Sequence, residues 1–361
     1  MIKLAIILYM NVLRLITVVF FSFSLIGLGQ NVNQKDSVLV EKSLFEHTDL
    51  LAIKLKYSRK ILKKETNDST YIDSELAYKM SDGQWESFPL KIRGRGNFRR
   101  KSCYFTPLKL KIKKSNVKET IFKGQKQLKI VLPCLNETDK DDNVIKEYII
   151  YKMYEVISPY YFSTRLLDIE YSEIKKKRTL VHSFKGLMIE DNSKVAKRLK
   201  ANLGKRKYHP KTINNLASVR LAMFQFMIGN TDFSTTYQHN SKMIFINKKF
   251  IPLPYDFDMA GFVNASYAVV SQVGDKKLPI ENVTQRYYMG YKRDYQLFKQ
   301  VREEFLNNKK KILDVIEANK PFFENQRSYE IAKDYILDFF KILADESRFK
   351  KKTYDKAIKL N

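Results

Sequence analysis

Cysteine is scarce in this chain of 361 residues, which contains only Cys103 and Cys134. The two are too far apart to form a Cys-x-x-Cys pair, so they offer no ordinary zinc site. The sequence also lacks a Gly-x-Ser-x-Gly elbow, a His-Glu-x-x-His helix and a Walker loop, which argues against serine hydrolases, zinc proteases and P-loop proteins. No run after residue 30 is long and apolar enough to cross a membrane. Any chemistry must therefore come from other residues.

The N-terminus is the one long apolar part of the sequence. Lys3 and Arg14 flank a first apolar stretch, a second runs from Leu15 to Leu28, and polar sequence begins at Gln30. This is the pattern of a signal peptide over residues 1–29. The combined apolar length also allows an uncleaved membrane anchor, so both alternatives stay open. In either case we expect the rest of the chain to be exported and to fold in the periplasm, the cell envelope or the medium.

Positive charge dominates the composition, since 66 Lys and Arg against 39 Asp and Glu give a formal net charge of +27. Such a surface attracts anions, which favours an anionic cell-surface partner or association with an envelope membrane. The alternative is that a lysine-rich proteome produces this charge without any specific partner. No motif indicates specific nucleic-acid binding, and the sequence does not fix the oligomeric state.

Export would place the two cysteines in an oxidising compartment, where a single disulfide is their simplest use. Apolar residues alternate with polar ones at Leu108 and Leu110 after Cys103, and again from Leu128 to Leu132 before Cys134. Alternation of this kind is typical of strands in one sheet. We therefore predict a Cys103–Cys134 disulfide, with two buried free thiols as the alternative.

Residues 30–190 are predicted to be rich in β-strand. Apolar and polar residues alternate in three short stretches, at 53–57, 90–92 and 108–112. Such alternation is typical of half-buried strands. One helix follows, because apolar residues recur at helical spacing from Ile145 to Val156. Strand-like alternation then returns at 166–171 and 187–189.

Residues 191–361 are predicted to be mainly helical. The almost entirely apolar stretch from Leu221 to Ile228 runs directly into Gly229, so we expect a helix that is buried on most sides. Two apolar stretches separated by Asn247 and Lys248 predict a β-hairpin. Two further helices are expected near the C-terminus.

Three polar residues follow the order in which kinase-like folds place a catalytic Asp, a following Asn and, after a hairpin, a metal-binding Asp. Asp232 comes after the buried helix, Asn240 lies before the hairpin and Asp256 lies after it. The reaction needs a carboxylate to orient or deprotonate the acceptor and oxygen ligands to hold Mg²⁺ against the nucleotide phosphates. A hairpin brings its two ends together, so these side chains can supply both. The alternative is that Asn230 and Asp232 cap a helix or turn and Asp256 sits in a loop.

Two segments that contain these residues resemble the active-site motifs of CotH-type spore-coat kinases and, more distantly, of HipA-type kinases: IGNTDFSTTYQHN at Ile228–Asn240 and IPLPYDFDMAG at Ile251–Gly261. Further segments resemble other motifs of the CotH family in the same order: LKIRGRGNFRRKSCYFTPLKLKI, LKIVLPC with VIKEYIIYKMYEVIS, and GLMIED. Together they cover most of the chain between Leu90 and Gly261. The resemblance implies an α+β, bilobal, protein-kinase-like fold, with a β-rich N-lobe at 30–190 and a mainly helical C-lobe at 191–361.

The resemblance also implies an ATP-dependent kinase that uses Mg²⁺ and phosphorylates an exported or cell-surface protein. Asp232 would be the catalytic residue. Asn240 and Asp256 would hold the metal, with help from Asp258. The strand lysine that neutralises the phosphates would be Lys109, and Lys111 on the same face of the strand is the alternative.

A loop over the phosphates would be formed by Arg93, Gly94, Arg95, Gly96 and Asn97, in which glycine permits close approach of the backbone. Either Glu147 or Glu155 would pair with the strand lysine. The sequence departs from ordinary protein kinases because it has no HRD or DFG triplet. ATP is also scarce outside the cytoplasm. The alternative function is therefore a catalytically inactive binding or scaffold protein of the cell envelope.

Deletion of residues 1–29 tests the interpretation of the N-terminus. We expect the truncated chain to stay soluble and to unfold in one cooperative thermal transition, because a leader is not part of the core. Circular dichroism during heating measures this. Precipitation, or melting without a transition, would show that the segment is structural.

Overall fold

The computed structural model describes residues 43–360 except Asp139 and residues 273–276, and it leaves the side chains of Asn97 and Phe98 undescribed. The predicted signal peptide lies outside the described residues. Within the described part, no helix combines the length and the apolar character needed to cross a membrane.

Seven strands form a closed barrel. They are β1 Leu51–Tyr57, β2 Ile72–Lys79, β3 Trp85–Gly94, β4 Leu108–Lys111, β5 Gln127–Val131, β6 Thr164–Ile174 and β7 Thr179–Glu190. Their order around the barrel is β1-β2-β3-β4-β5-β7-β6. The barrel closes where β1 pairs with β6 in parallel, whereas the other neighbouring strands are antiparallel.

A separate three-stranded sheet has the order β10-β9-β8 and consists of β8 Asn202–Leu203, β9 Ser241–Ile246 and β10 Lys249–Pro254. The α-helices of the described residues are α1 Arg59–Glu65, α2 Asn97–Ser102, α3 Lys140–Ile157, α4 Asn192–Arg198, α5 Asn215–Ile228, α6 Tyr295–Asn307, α7 Lys309–Ala318, α8 Gln326–Ala344 and α9 Glu346–Lys352.

The prediction of a bilobal, protein-kinase-like α+β fold is wrong. The described residues form a closed barrel, helices mixed with strands along the chain, and a separate small sheet. The alternation of apolar residues could not reveal this, because its period is the same in an open sheet and in a barrel. Closure depends on the pairing of Leu51–Tyr57 with Leu167–Glu173, which joins segments far apart in the sequence.

Alternation within the barrel strands decides which side chains face outward. Leu108 and Leu110 on β4, and Leu128 and Ile130 on β5, belong to the apolar core of the barrel. The residues between them point to the other side of the sheet. The barrel therefore presents lysines on its outer surface along β4 and β5.

Helix α5 belongs to a second apolar core, which it shares with α3 and the C-terminal helices. It ends at Gly229, which has the left-handed φ of +66° that favours glycine. A Cβ atom at Gly229 would lie 3.4 Å from the Cα atom of Gly261. The Gly261 N–H donates to the Gly229 carbonyl at 3.1 Å. The end of α5 is thereby fixed beside the segment that follows β10.

The predicted disulfide between Cys103 and Cys134 is confirmed, and the two Cα atoms are 4.5 Å apart. Cys103 directly follows α2, and the Tyr104 N–H donates to the Cys134 carbonyl at 2.7 Å. The bond therefore fixes the end of α2 to the segment that follows β5.

Replacement of both cysteines, Cys103→Ala with Cys134→Ala, should lower the free energy of unfolding by about 4 kcal/mol, because the crosslink limits the unfolded chain. The cysteines are 31 positions apart. Urea denaturation without reductant measures the loss. Reductant should lower the stability of the parent and leave the double variant unchanged. Equal stability of parent and variant would contradict a structural role for the bond.

Candidate functional site

A cleft of about 590 Å³ lies beside the outer surface of the barrel. Its cations from β3, β4, β5 and the segment around α2 are Arg93, Arg95, Arg99, Lys109 and Lys129. Its acidic and amide residues from the chain around the β9–β10 hairpin include Asp232, Asn240, Asp256 and Asp258. The cleft thus contains both phosphate-binding and cation-binding types of side chain.

Three of the cations form a row across the barrel. Arg93 on β3 pairs with Lys109 on β4, and Lys109 pairs with Lys129 on β5. Directly paired residues on neighbouring strands project to one face with Cβ atoms about 5 Å apart, and like charges in such pairs repel each other. Arg93 Nη1 also lies 3.2 Å from Asp68 Oδ1, so the repulsion that a bound anion would relieve is mainly that between Lys109 and Lys129.

Lys129 is the most buried member of this row, with 7% of its surface exposed. Its Nζ donates to Asn192 Oδ1 at 2.6 Å and lies 4.9 Å from the centre of the Phe162 ring. Burial, followed by the positive charge of Arg95, lowers the pKa of Lys129 to about 7. Lys129 is thus only partly protonated at neutral pH.

Sequence reasoning missed Lys129. Lys109 does line the cleft, whereas Lys111 is exposed and is not among the lining residues. The available signal was the position of Lys129 inside the apolar strand LKIVL, because an isolated lysine between buried strand residues is unusual.

Asp232 is held in the cleft by the turn that follows α5. The buried side chain of Asn230 accepts the Asp232 N–H through Oδ1 at 2.9 Å and donates through Nδ2 to Gln225 Oε1 at 3.0 Å. Asn230 therefore has the turn-forming role that the alternative interpretation gave it. That role places the Asp232 side chain at the cleft.

The Asp232 carboxylate accepts several hydrogen bonds. His239 Nε2 and Ser271 Oγ donate to Oδ1 at 2.9 and 3.0 Å, and Asn240 Nδ2 donates to Oδ2 at 2.8 Å. Burial acts to raise the pKa of Asp232, but the hydrogen bond and charge of His239, with the other donors, outweigh it and hold the pKa below its ordinary value. Asp232 is thus an ionised carboxylate and a weak base.

Asn240 connects Asp232 to the hairpin. Its amide nitrogen also donates to the Asp232 carbonyl at 2.8 Å, so the amide oxygen is the atom left to face a cation. The Tyr255 N–H donates to the Asn240 carbonyl at 3.1 Å. This bond joins the two ends of the hairpin and brings Asn240 close to Asp256.

The segment Asp256–Asp258 is fixed by the aromatic residue at its centre. The buried ring of Phe257 packs against Tyr151 on α3, with ring centres 4.8 Å apart. Asp256 has a left-handed φ of +64°, and its N–H donates to the Tyr151 hydroxyl at 3.0 Å. Aspartate tolerates this conformation better than most residues. Both flanking carboxylates line the cleft as a result.

Arg99 lies inside the acidic part of the site. Its Nε is 3.6 Å from Asp258 Oδ2, its Nη1 is 3.8 Å from Glu147 Oε2, and its Nη2 donates to the Leu132 carbonyl at 3.2 Å. Glu147 thus has an arginine partner in place of the expected strand lysine. Glu155, the other candidate, pairs with Lys152.

Glu147 and Asp258 are only 1% and 6% exposed. Burial raises the pKa of Glu147, and the charge of Arg99 opposes this rise only in part. Burial likewise raises the pKa of Asp258, and the charges of Asp256 and Asp232 add to the rise. Asp258 Oδ2 has no hydrogen-bond partner among the described residues. Both shifts favour the neutral, protonated carboxyl groups, because Arg99 alone does not balance the charge of all the nearby carboxylates.

The residues predicted from the sequence do not all reach the cleft. Asp232, Asn240, Asp256, Asp258 and Lys109 line it together, as do Arg93, Arg95 and Gly96. Gly94 lines a separate, smaller cavity, and a Cβ atom there would lie 3.1 Å from Thr106 Cγ2. Packing against Thr106 thus explains why position 94 is a glycine. The side chain of Asn97 lies outside the described part of the chain.

Among the described residues, no group of three or more His, Cys, Asp or Glu side chains is arranged to hold a metal ion. The carboxylates of Asp256 and Asp258 and the Asn240 amide oxygen are nevertheless the oxygen donors that Mg²⁺ prefers. Asp258 Oδ2 accepts no hydrogen bond from the described residues, although Arg99 Nε lies 3.6 Å from it. Mg²⁺ commonly obtains its remaining ligands from water and substrate phosphates, so the donor set fits a nucleotide-dependent ion.

Comparison with known proteins identifies no family. No protein-family model matches the chain, and no curated protein is similar to it in sequence. The resemblance to CotH-type kinases therefore depends on the motifs alone.

The hydrogen bond to Asp232 raises the pKa of His239 above 6.5. We expect Asp232→Asn to return it towards that value, and Ser271→Ala, which keeps the carboxylate charge, to change it less. NMR titration of the His239 ring protons measures both. An unchanged pKa in Asp232→Asn would contradict the pairing.

The same pair links stability to pH. His239 has a raised pKa in the folded protein. Its contribution to the free energy of unfolding is therefore complete below about pH 6.5 and is lost as the pH rises through the folded pKa. Asp232 has a lowered pKa, so its contribution is lost as the pH falls below about 4. The His239 side chain is 50% exposed, which limits the effect to at most about 1 kcal/mol.

Proposed function

We propose that the cleft binds ATP with Mg²⁺ and that the protein transfers the terminal phosphate to an exported or cell-surface protein, as the resemblance to CotH-type kinases implies. The observation that carries this proposal is the row Arg93, Lys109 and Lys129 in the same cleft as the carboxylates of Asp232 and Asp256. A ligand that satisfies both must bring negative charge to the row and a cation to the carboxylates. A nucleotide polyphosphate with Mg²⁺ has both properties.

The size of the cleft agrees with this ligand. Its volume of about 590 Å³ lies within the range of ordinary small-molecule sites. Lys129 and Lys109 would bind phosphate oxygens through charge-assisted hydrogen bonds. Without an anion in the cleft, burial makes the protonated form of Lys129 unfavourable. A neighbouring anion would stabilise that form.

The carboxylate and amide residues of the cleft would have different roles in the reaction. A bound Mg²⁺ would supply positive charge that offsets the negative charge of the nucleotide phosphates. Asp256 and the Asn240 amide oxygen would hold it, and Asp258 would support it from the buried side, where Arg99 balances part of its charge.

Asp232 would orient the acceptor hydroxyl. Its lowered pKa makes it a weak base, but phosphoryl transfer passes through a loose transition state and depends mainly on positioning and electrostatic stabilisation. A carboxylate fixed by His239 and Asn240 is suited to accept a hydrogen bond from the attacking hydroxyl and to take its proton late in the transfer.

A non-catalytic binding or scaffold protein is the second candidate, and one observation favours it. Three side chains, those of His239, Ser271 and Asn240, already donate to the Asp232 carboxylate. Arg99 likewise already lies beside Asp258. Both carboxylates thus have partners without a nucleotide, as expected for residues kept for structure.

Two matched substitutions test the division of roles. Asp256→Asn should reduce the Mg²⁺-dependent part of the thermal stabilisation by ATP, because it removes a ligand charge. Asp232→Asn should retain that stabilisation and lower phosphate transfer by at least about 100-fold, because it removes the group that acts on the acceptor. Thermal shift with and without Mg²⁺, and transfer from radiolabelled ATP, measure the two effects.

Asp334→Asn, at an exposed position on α8, is the control and should behave as the parent in both assays. If Asp256→Asn and Asp232→Asn also match the parent in both, the site is rejected. ATP binding by the parent without any transfer would favour the scaffold candidate.

A further inference from the structure

A short basic segment adjoins the cleft and takes no part in the phosphate site. Lys205, Arg206 and Lys207 are consecutive and exposed. None of them forms an ion pair within the described part of the chain. The sequence between Asp191 and Asp232 contains no Asp or Glu, so no acidic neighbour along the chain offsets these charges.

The basic segment is attached to the loop that carries Asp232. Gln238 Nε2 donates to the Arg206 carbonyl at 2.7 Å and to the Gly204 carbonyl at 3.3 Å. Gln238 and the next residue, His239, both line the cleft, and His239 donates to Asp232. One hydrogen-bonded side chain therefore places the basic segment at the Asp232 end of the cleft.

Tyr237 adds an aromatic ring to this surface. It is 63% exposed, and Lys207 Nζ lies 4.8 Å from its ring centre. Reciprocal backbone hydrogen bonds between Ser234 and His239 close the loop that presents it. Aromatic residues and arginine are enriched where proteins bind other proteins.

We propose that Lys205, Arg206, Lys207 and Tyr237 bind an acidic stretch of the polypeptide that presents its acceptor hydroxyl to Asp232. The inference rests on the proposed function and specifies its substrate class. Unpaired cations favour carboxylates, and a chain with a net charge of +27 would repel a basic polypeptide. Binding to anionic lipid typically uses clusters of about four to eight Lys or Arg, so three consecutive cations beside a cleft suit an extended acidic peptide better.

The test is direct binding without nucleotide. The full chain is titrated against a fluorescein-labelled peptide of glutamates around one serine, and fluorescence anisotropy is measured. The triple variant Lys205→Gln, Arg206→Gln and Lys207→Gln should bind about tenfold more weakly, and added salt should weaken binding to the parent. The matched control removes three exposed charges from α9, by Lys350→Gln, Lys351→Gln and Lys352→Gln, and should change affinity less than about twofold.

Equal weakening by both triple variants would overturn the inference, because the attraction would then come from overall charge. Tighter binding of phosphatidylglycerol vesicles or single-stranded DNA at Lys205–Lys207 would also overturn it.

Phosphate transfer and ATP binding are measured separately on the same proteins. If both are absent while peptide binding depends on Lys205–Lys207, the proposed kinase function fails and the acidic-peptide surface stands. If transfer to the peptide is as efficient in the basic-segment variant as in the parent, the inference alone fails.

Discussion

The buried guanidinium of Arg99 holds together the parts of the chain that form the cleft. It extends from α2 to Glu147 on α3, to Asp258 after β10 and to the Leu132 carbonyl after β5. Loss of one partner in a buried ion pair typically costs about 3–5 kcal/mol, because the other charge stays uncompensated. Arg99 therefore links the acidic segment, which Phe257 anchors on α3, to the barrel, and the disulfide at the end of α2 holds the helix from which Arg99 extends.

Around this ion cluster the cleft contains charges of both signs that are incompletely paired within the protein. Arg93, Lys109 and Lys129 are adjacent on three strands, and the lowered pKa of Lys129 reflects burial together with this crowding of cations. Asp256 and Asp258 crowd negative charge in the same way. Such arrangements reduce stability and are enriched at sites that bind charged ligands, although structural ion-pair networks also produce them.

The sequence was most informative where the relevant contacts are local. Asp232, Asn240 and Asp256 could be placed in one cleft because the turn after α5 and the β9–β10 hairpin are short-range features with clear apolar and turn signals. The disulfide was predictable because both cysteines flank alternating strands. Lys129 and Arg99 were missed because strand register and the position of α2 bring them to the site. The closed barrel was missed for a related reason, since it depends on the long-range pairing of β1 with β6.

The most direct measurement of the central claim, that the cleft binds a nucleotide polyphosphate, is the pH dependence of ATP binding with Mg²⁺. Isothermal titration calorimetry between about pH 6 and about pH 9, in two buffers of different ionisation enthalpy, gives both affinity and proton uptake.

Because the pKa of Lys129 is lowered to about 7 and a bound phosphate would raise it, we predict that binding takes up a proton and weakens as the pH rises above about 7. Lys129→Met should reduce this dependence to what His239, which also lines the cleft and has a raised pKa, contributes. Lys111→Met, at an exposed position on the same sheet, should retain it in full. Two results would contradict the claim. One is the absence of ATP binding, and the other is an apparent binding enthalpy that is the same in both buffers at every pH.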